Sequence, residues 1–177
     1  MYSLKFNKLL LFVALGFFLS ETLNAQSKRK RKKADEATLS WRYETVCEKG
    51  GGTGTTSLIR VTSYVRDPSI SVEQSKKNAV HAIVFTGITG NSRGCVSKRP
   101  MTNNPSIYDE NIGFFKSFFI DRGEYAKYTN LPTGRPERVI KISKREYKVE
   151  TIVSVNTDLL RKNLEDANIL KSLSNGF

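Results

Sequence analysis

Residues 55–65 read TTSLIRVTSYV, a run of β-branched, aliphatic and aromatic side chains that predicts a buried strand. Residues 41–48 read WRYETVCE, where Trp41, Tyr43, Thr45 and Cys47 occupy alternate positions, as in a strand with one buried face. Glycines at 50, 51, 52 and 54 separate the two segments. This connection is too short for a parallel crossover, so we predict an antiparallel hairpin.

The next segment predicts a helix over residues 71–85. Ser71 and Gln74 have the spacing of a capping box, and Gly87 follows the last apolar residue. The predicted buried stripe consists of Val72, Ala79, Val80 and Ile83. On the opposite side we expect Glu73, Lys76 and Lys77 to face water.

The second half of the chain predicts two more helices and two more strands. Residues 106–120 carry phenylalanines at helical spacing, which favours packing in the core over a ligand site. Residues 138–143 and 146–156 predict strands joined by a tight turn, and Asn156 or Thr157 caps a last helix. Residues 87–105 and 123–137 predict loops. The expected fold is α+β, a two-layer sandwich in which about three helices cover a mostly antiparallel sheet.

The amino terminus has the pattern of an export signal. Lys5 and Lys8 precede an unbroken apolar run over residues 9–19, which is shorter than a membrane span, and Ala25 marks the expected cleavage point. We therefore expect residues 1–25 to be a signal peptide and the mature chain to have no transmembrane span. The first cysteine is Cys47, so a lipid anchor at the cleavage point is not expected.

A basic segment follows the predicted signal. The 177-residue chain has a formal net charge of +12, and half of it comes from Lys28, Arg29, Lys30, Arg31, Lys32 and Lys33. Residues 26–40 contain almost no apolar side chains and predict a flexible arm, followed by one domain over residues 41–177. Outside the cytoplasm such an arm favours anionic lipid or polymer surfaces; its alternatives are a solvated tail or a nucleic-acid contact, of which we expect nucleic acid least.

Cys47 and Cys95 are the only cysteines, too few for a disulfide-dense scaffold or a four-thiolate zinc site. In an exported protein we expect them to form a disulfide. The competing interpretation makes Cys95 or Cys47 a nucleophile activated by His81, the only histidine.

Other chemical motifs are weak. The glycine-rich run 50–56 lacks the lysine and the following helix of a phosphate-binding loop, and neither a metal-ligand spacing nor a Gly-x-Ser-x-Gly elbow is present. The acidic pair Asp109-Glu110 suits a helix start, where it complements the dipole. We expect no metal and no cofactor.

Two segments carry a resemblance to known proteins. Residues 77–81, KNAVH, and residues 159–164, LLRKNL, resemble small exported proteins of Bacteroidetes that lack an assigned activity. More distantly, the chain resembles the α+β domains of flagellar assembly protein T and of curli-secretion type envelope lipoproteins. These resemblances imply an assembly or scaffolding role in the envelope and no catalytic motif.

The sequence therefore predicts a non-enzymatic exported protein, periplasmic or associated with the outer surface. Its expected partner is an envelope protein, or an anionic envelope polymer or lipid. The alternatives are an exported thiol-dependent hydrolase or redox enzyme using Cys95 or Cys47 with His81, and a secreted nucleic-acid binder acting through the basic arm.

Overall fold

The structure, a computed structural model, describes residues 28–29, 32–33, 35–37, 40–48, 54–91 and 94–172. The predicted signal peptide and most of the glycine-rich run 50–56 lie outside these residues. By its internal contacts the chain divides into two units, residues 1–33 and 34–177. In the first unit Lys28, Arg29, Lys32 and Lys33 have helical backbone and exposed side chains. The flexible arm expected over residues 26–40 stays a prediction.

The second unit is built on an antiparallel sheet. In chain order its described strands are β1 (Tyr43–Cys47), β2 (Thr56–Val65), β3 (Thr129–Asn130), β4 (Arg138–Ser143) and β5 (Glu146–Asn156). The spatial order is β1-β2-β5-β3, and β4 also pairs with β5. The predicted hairpin of β1 and β2 is confirmed, and the predicted bounds of β4 and β5 are those observed.

Alternation along the two central strands gives the sheet one buried face. Ile59 pairs with Val153, and Val61 with Thr151, in the antiparallel register of β2 and β5. All four side chains are buried. The helices cover this face, which confirms the predicted α+β class.

The helix that begins at Ser71 does not start with a capping box. A short 3-10 helix, Pro68–Ile70, precedes it, and the Asp67 side chain accepts from the backbone N–H of Ser69. The α-helix α1 (Ser71–His81) then widens into a π-helical turn, Ala82–Thr86. Gly87 ends this turn with φ of 81°, and a Cβ there would lie 2.6 Å from the Lys98 carbonyl oxygen. Glycine is therefore required at this helix end.

The phenylalanine-rich segment forms two short helices instead of one. These are α2 (Ile107–Glu110) and α3 (Ile112–Phe118), separated at Asn111, whose backbone has φ of −118° and ψ of 31°. The Asn111 side-chain amide donates to the Ile107 carbonyl, a local bond that competes with helical pairing. Phe115, Phe118 and Phe119 are buried, so their predicted place in the core is confirmed.

The last helix, α4 (Thr157–Asp166), begins at the predicted position. Asn156 is its N-cap, and its side-chain oxygen accepts from the Leu159 N–H at 2.9 Å. Leu160 and Leu164 are buried on the side that faces the core. No helix among the described residues is long and apolar enough to cross a bilayer.

Candidate functional site

The candidate site lies at the edge of β1, where His81 ends α1. The imidazole of His81 contacts Tyr43 of β1 and Trp41 just before that strand, and the π-helical turn follows directly after it. The His81 Nδ1 and the Tyr43 hydroxyl are hydrogen bonded at 2.6 Å. The Tyr43 hydroxyl also lies 3.3 Å from the Thr86 hydroxyl. Single π-helical turns often occur at functional sites, which makes this junction a candidate.

Aromatic rings enclose the imidazole. Trp41 stacks on it with ring centroids 3.7 Å apart, and Phe85 lies at 4.7 Å. Phe119 contacts both His81 and Trp41. Trp41 has φ of 41°, a left-handed conformation that is strained for a large side chain. The strained Trp41 backbone thus lies at the same place as the stack on His81.

Burial fixes the protonation of the two hydrogen-bonded groups. It lowers the pKa of His81 to about 3, because the charged imidazolium loses its hydration. Burial also raises the pKa of Tyr43 to about 12, against the smaller opposing effect of the hydrogen bond with Thr86. At neutral pH both groups are uncharged. They suit hydrogen bonding to a ligand better than proton transfer, since a general acid or base works best with a pKa near the ambient pH.

An open groove of about 540 Å³ lies against this pair. This volume lies within the range of small-molecule clefts. Its lining combines aromatic, hydroxyl and carboxylate groups: Trp41, Tyr43, Glu44, Thr45, Val46, His81, Thr86, Gly87 and Thr89. This arrangement can stack against an apolar group and hydrogen bond to polar ones.

Lys77 forms a second cluster, and the prediction that it faces water is wrong. Its side chain is 0% exposed. The ammonium group donates to Asp121 at 2.8 Å and to Asp35 at 3.0 Å, and it lies 5.7 Å from the centre of the Tyr125 ring. The backbone N–H of Asp121 also donates to Asp35 at 2.7 Å. Asp35 thereby connects the start of the second unit to its core.

Tyr125 extends this cluster to Glu73. Its hydroxyl donates to the Glu73 carboxylate at 2.5 Å. Burial opposes ionisation of Glu73, but the hydrogen bonds from Tyr125 and Lys76 keep the pKa of that carboxyl below its usual value. Burial, then the Glu73 carboxylate, raises the pKa of Tyr125. In this cluster each charged side chain has an oppositely charged or hydrogen-bonding partner. Its role is therefore structural: it holds α1 to the segments that carry Asp35, Asp121 and Tyr125.

The two predicted disulfide residues are brought together. Cys47 and Cys95 form a disulfide with their Cα atoms 5.9 Å apart, across a sequence separation of 48. The Asn91 side-chain amide donates to the Cys47 carbonyl at 2.6 Å and so holds the same loop to β1. The hydrolase alternative requires a free thiolate, and in this structure both sulfurs are bonded to each other. His81 instead contacts Tyr43 and aromatic rings.

The other predicted residues are placed only in part. Lys28, Arg29, Lys32 and Lys33 are exposed, and Lys30 and Arg31 lie outside the described residues. Within the described part of the chain, no group of three or more His, Cys, Asp or Glu side chains is placed to hold a metal ion.

Sequence reasoning missed the groove and the buried lysine. The groove lies beside the hydrogen-bonded pair Tyr43 and His81. These residues are 38 positions apart, and no motif or spacing in the sequence indicates that they are in contact. For Lys77 a signal exists, since it lies three and seven positions before Val80 and Val84, both buried.

Comparisons with protein-family models, with curated proteins and with solved structures found no match. The resemblance to exported Bacteroidetes proteins and to envelope assembly domains therefore stays a prediction.

Proposed function

We propose that this protein is an exported, non-enzymatic binding protein of the cell envelope. It contacts an anionic lipid or polymer surface through residues 28–33 and binds an envelope partner through its folded domain. The observation that carries the proposal is the run of six consecutive cations, whose four described members are exposed. Each Lys or Arg near an anionic surface contributes about 1 kcal/mol, so six together support stable, salt-sensitive attachment.

The state of the chemically active side chains supports binding over catalysis. Both cysteines are joined in a disulfide, and burial keeps His81 and Tyr43 uncharged at neutral pH. The groove beside them offers stacking and hydrogen bonds, which are means of recognition. A disulfide is also compatible with an oxidising compartment outside the cytoplasm.

Vesicle binding of the mature chain, residues 26–177, tests the surface contact. The variant replaces all six cations at 28–33 by glutamine. A matched control replaces six other exposed cations by glutamine: Arg66, Arg99, Lys116, Arg122, Lys162 and Lys171. We expect wild type to sediment with vesicles containing phosphatidylglycerol at low salt and to be released at high salt. At low salt the 28–33 variant should bind about 10⁴-fold more weakly, because six contributions of about 1 kcal/mol add to about 6 kcal/mol, while the control keeps most of the binding.

Two results would contradict the proposal. Equal vesicle binding by the 28–33 variant and wild type would remove the basic segment from the contact. Tighter binding to duplex DNA than to the vesicles at the same salt concentration would favour the nucleic-acid alternative.

A further inference from the structure

Strand β4 is an edge strand with six exposed residues. It pairs with β5 along one side, and no other strand among the described residues pairs with its outer side. Val139, Ile140 and Ile142 keep 49%, 39% and 47% of their surface exposed. Proteins usually shorten, cover or charge such an edge, because its unpaired backbone N–H and C=O groups accept another strand. The outer side of β4 therefore has the backbone and the side chains that an added strand needs.

We propose that the outer edge of β4 is the docking site for an extended acidic segment of a partner protein, which adds one strand to the sheet. Strand addition takes its affinity from backbone hydrogen bonds and its specificity from alternate side chains. The inference rests on the proposed binding function and names the chemistry of its partner.

The charges around β4 select an acidic partner. Arg135, Lys144 and Arg145 form no ion pair with a described carboxylate, and the Lys141 ammonium lies 5.9 Å from the Tyr147 ring centre. Arg138 lies 4.0 Å from Glu150. The nearby Glu137 is engaged by Arg60 at 2.5 Å. The edge thus combines apolar side chains with cations that a strand carrying carboxylates would neutralise.

Two other occupants fit these observations less well. A second copy of the chain would bring the same cations from both molecules together, and a lysine in the middle of an edge strand is a known device against self-pairing. Lipid acyl chains cannot hydrogen bond to the unpaired backbone groups of β4. An extended acidic peptide satisfies both the backbone groups and the charges.

Peptide selection on the full chain tests this assignment. Peptides of eight residues are selected from a random displayed library, and one selected sequence is synthesised and titrated by fluorescence anisotropy. Amide hydrogen exchange with and without that peptide then locates the contact. We expect acidic sequences rich in β-branched residues, which slow amide exchange within residues 138–143.

Surface variants give the test its controls. The triple variant Val139→Thr/Ile140→Thr/Ile142→Thr should weaken peptide binding at least about tenfold. The pair Arg138→Gln/Lys141→Gln should weaken it and reduce its salt dependence. The matched control Val96→Thr/Ile120→Thr/Leu159→Thr changes three other exposed apolar residues and should bind as wild type does. Thermal unfolding of each variant verifies that it is folded.

Several outcomes would overturn the inference. These are selection of neutral or basic peptides, slowed exchange outside residues 138–143, or unchanged binding by the triple variant. A dimer in analytical ultracentrifugation that the triple variant abolishes would assign the edge to a second copy. Vesicle binding lost in the triple variant, without peptide binding, would assign it to lipid.

Different experiments refute the β4 inference and the proposed surface contact. If the contact through residues 28–33 is wrong, the glutamine variant of that segment binds vesicles as wild type does and β4 still binds acidic peptides. If the β4 inference is wrong, the vesicle results stand and peptide binding is absent or lies elsewhere.

Discussion

Lys77 is a fully buried cation held by two carboxylates, those of Asp121 and Asp35. Asp121 is 11% exposed and Asp35 is 37% exposed, so water can replace Asp35 more readily than Asp121. Removing one partner of a buried charge costs about 3–5 kcal/mol, because the other charge stays buried. We expect Asp121→Asn to lower the free energy of unfolding by about 3 kcal/mol and Asp35→Asn by less, measured by urea denaturation.

The control for these variants is the partly exposed ion pair of Lys76, the neighbour of Lys77. Lys76 and Glu73 form an ion pair of 3.1 Å that is partly exposed. Lys76→Gln should cost less than about 1 kcal/mol. An equal cost for Asp121→Asn and Lys76→Gln would show that the ammonium of Lys77 does not depend on Asp121.

His81 predicts a pH dependence of stability. Its pKa is about 3 in the folded protein and 6.5 for the unperturbed side chain. Between these values the unfolded chain binds a proton that the folded protein does not, so the free energy of unfolding falls as pH falls from 6.5 towards 3. One proton gives a slope of about 1.4 kcal/mol per pH unit.

The variant His81→Phe isolates this effect, because His81 is the only histidine. Glu44, which lines the groove, and all other carboxylates are the same in both proteins. We expect the free energy of unfolding between pH 7.5 and 5 to fall more steeply for wild type than for the variant. Parallel pH profiles would mean that His81 accepts its proton in the folded protein at its ordinary pKa.

At the scale of elements, the disulfide joins β1 to the long loop. Chain-entropy arguments give a crosslink across 48 positions a stabilisation of about 4 kcal/mol. We expect Cys47→Ala/Cys95→Ala to unfold at lower urea concentration and to exchange amides faster within residues 88–98. Reductant should destabilise wild type and leave the variant unchanged. A wild type insensitive to reductant would contradict this role of the disulfide.

The strands were predictable and the helix irregularities were not. Alternation fixes which residues of β2 and β5 are buried, so their bounds follow from the sequence almost unchanged. The break at Asn111 coincides with a side-chain hydrogen bond to the Ile107 carbonyl, and the π-helical turn follows directly after His81. Helical spacing alone does not report these. The groove could not be predicted for the same reason, because its two hydrogen-bonded residues, Tyr43 and His81, come from different elements.

At the scale of the whole molecule, the proposed function needs two kinds of surface. Residues 28–33 supply positive charge for an anionic surface. The second unit supplies two surfaces that can recognise a specific partner, the groove and the outer edge of β4. Both surfaces can meet their proposed partners only if the chain is exported to the envelope. Export is therefore the central claim on which the proposed function depends.

The most direct test of that claim is the intact mass of the protein isolated from its native envelope fraction, with and without reductant. The account predicts a chain that begins at Gln26 and gains the mass of two hydrogens on reduction, which corresponds to the Cys47–Cys95 disulfide. A chain that retains Met1, has two free thiols and fractionates with the cytoplasm would contradict export and, with it, the proposed function.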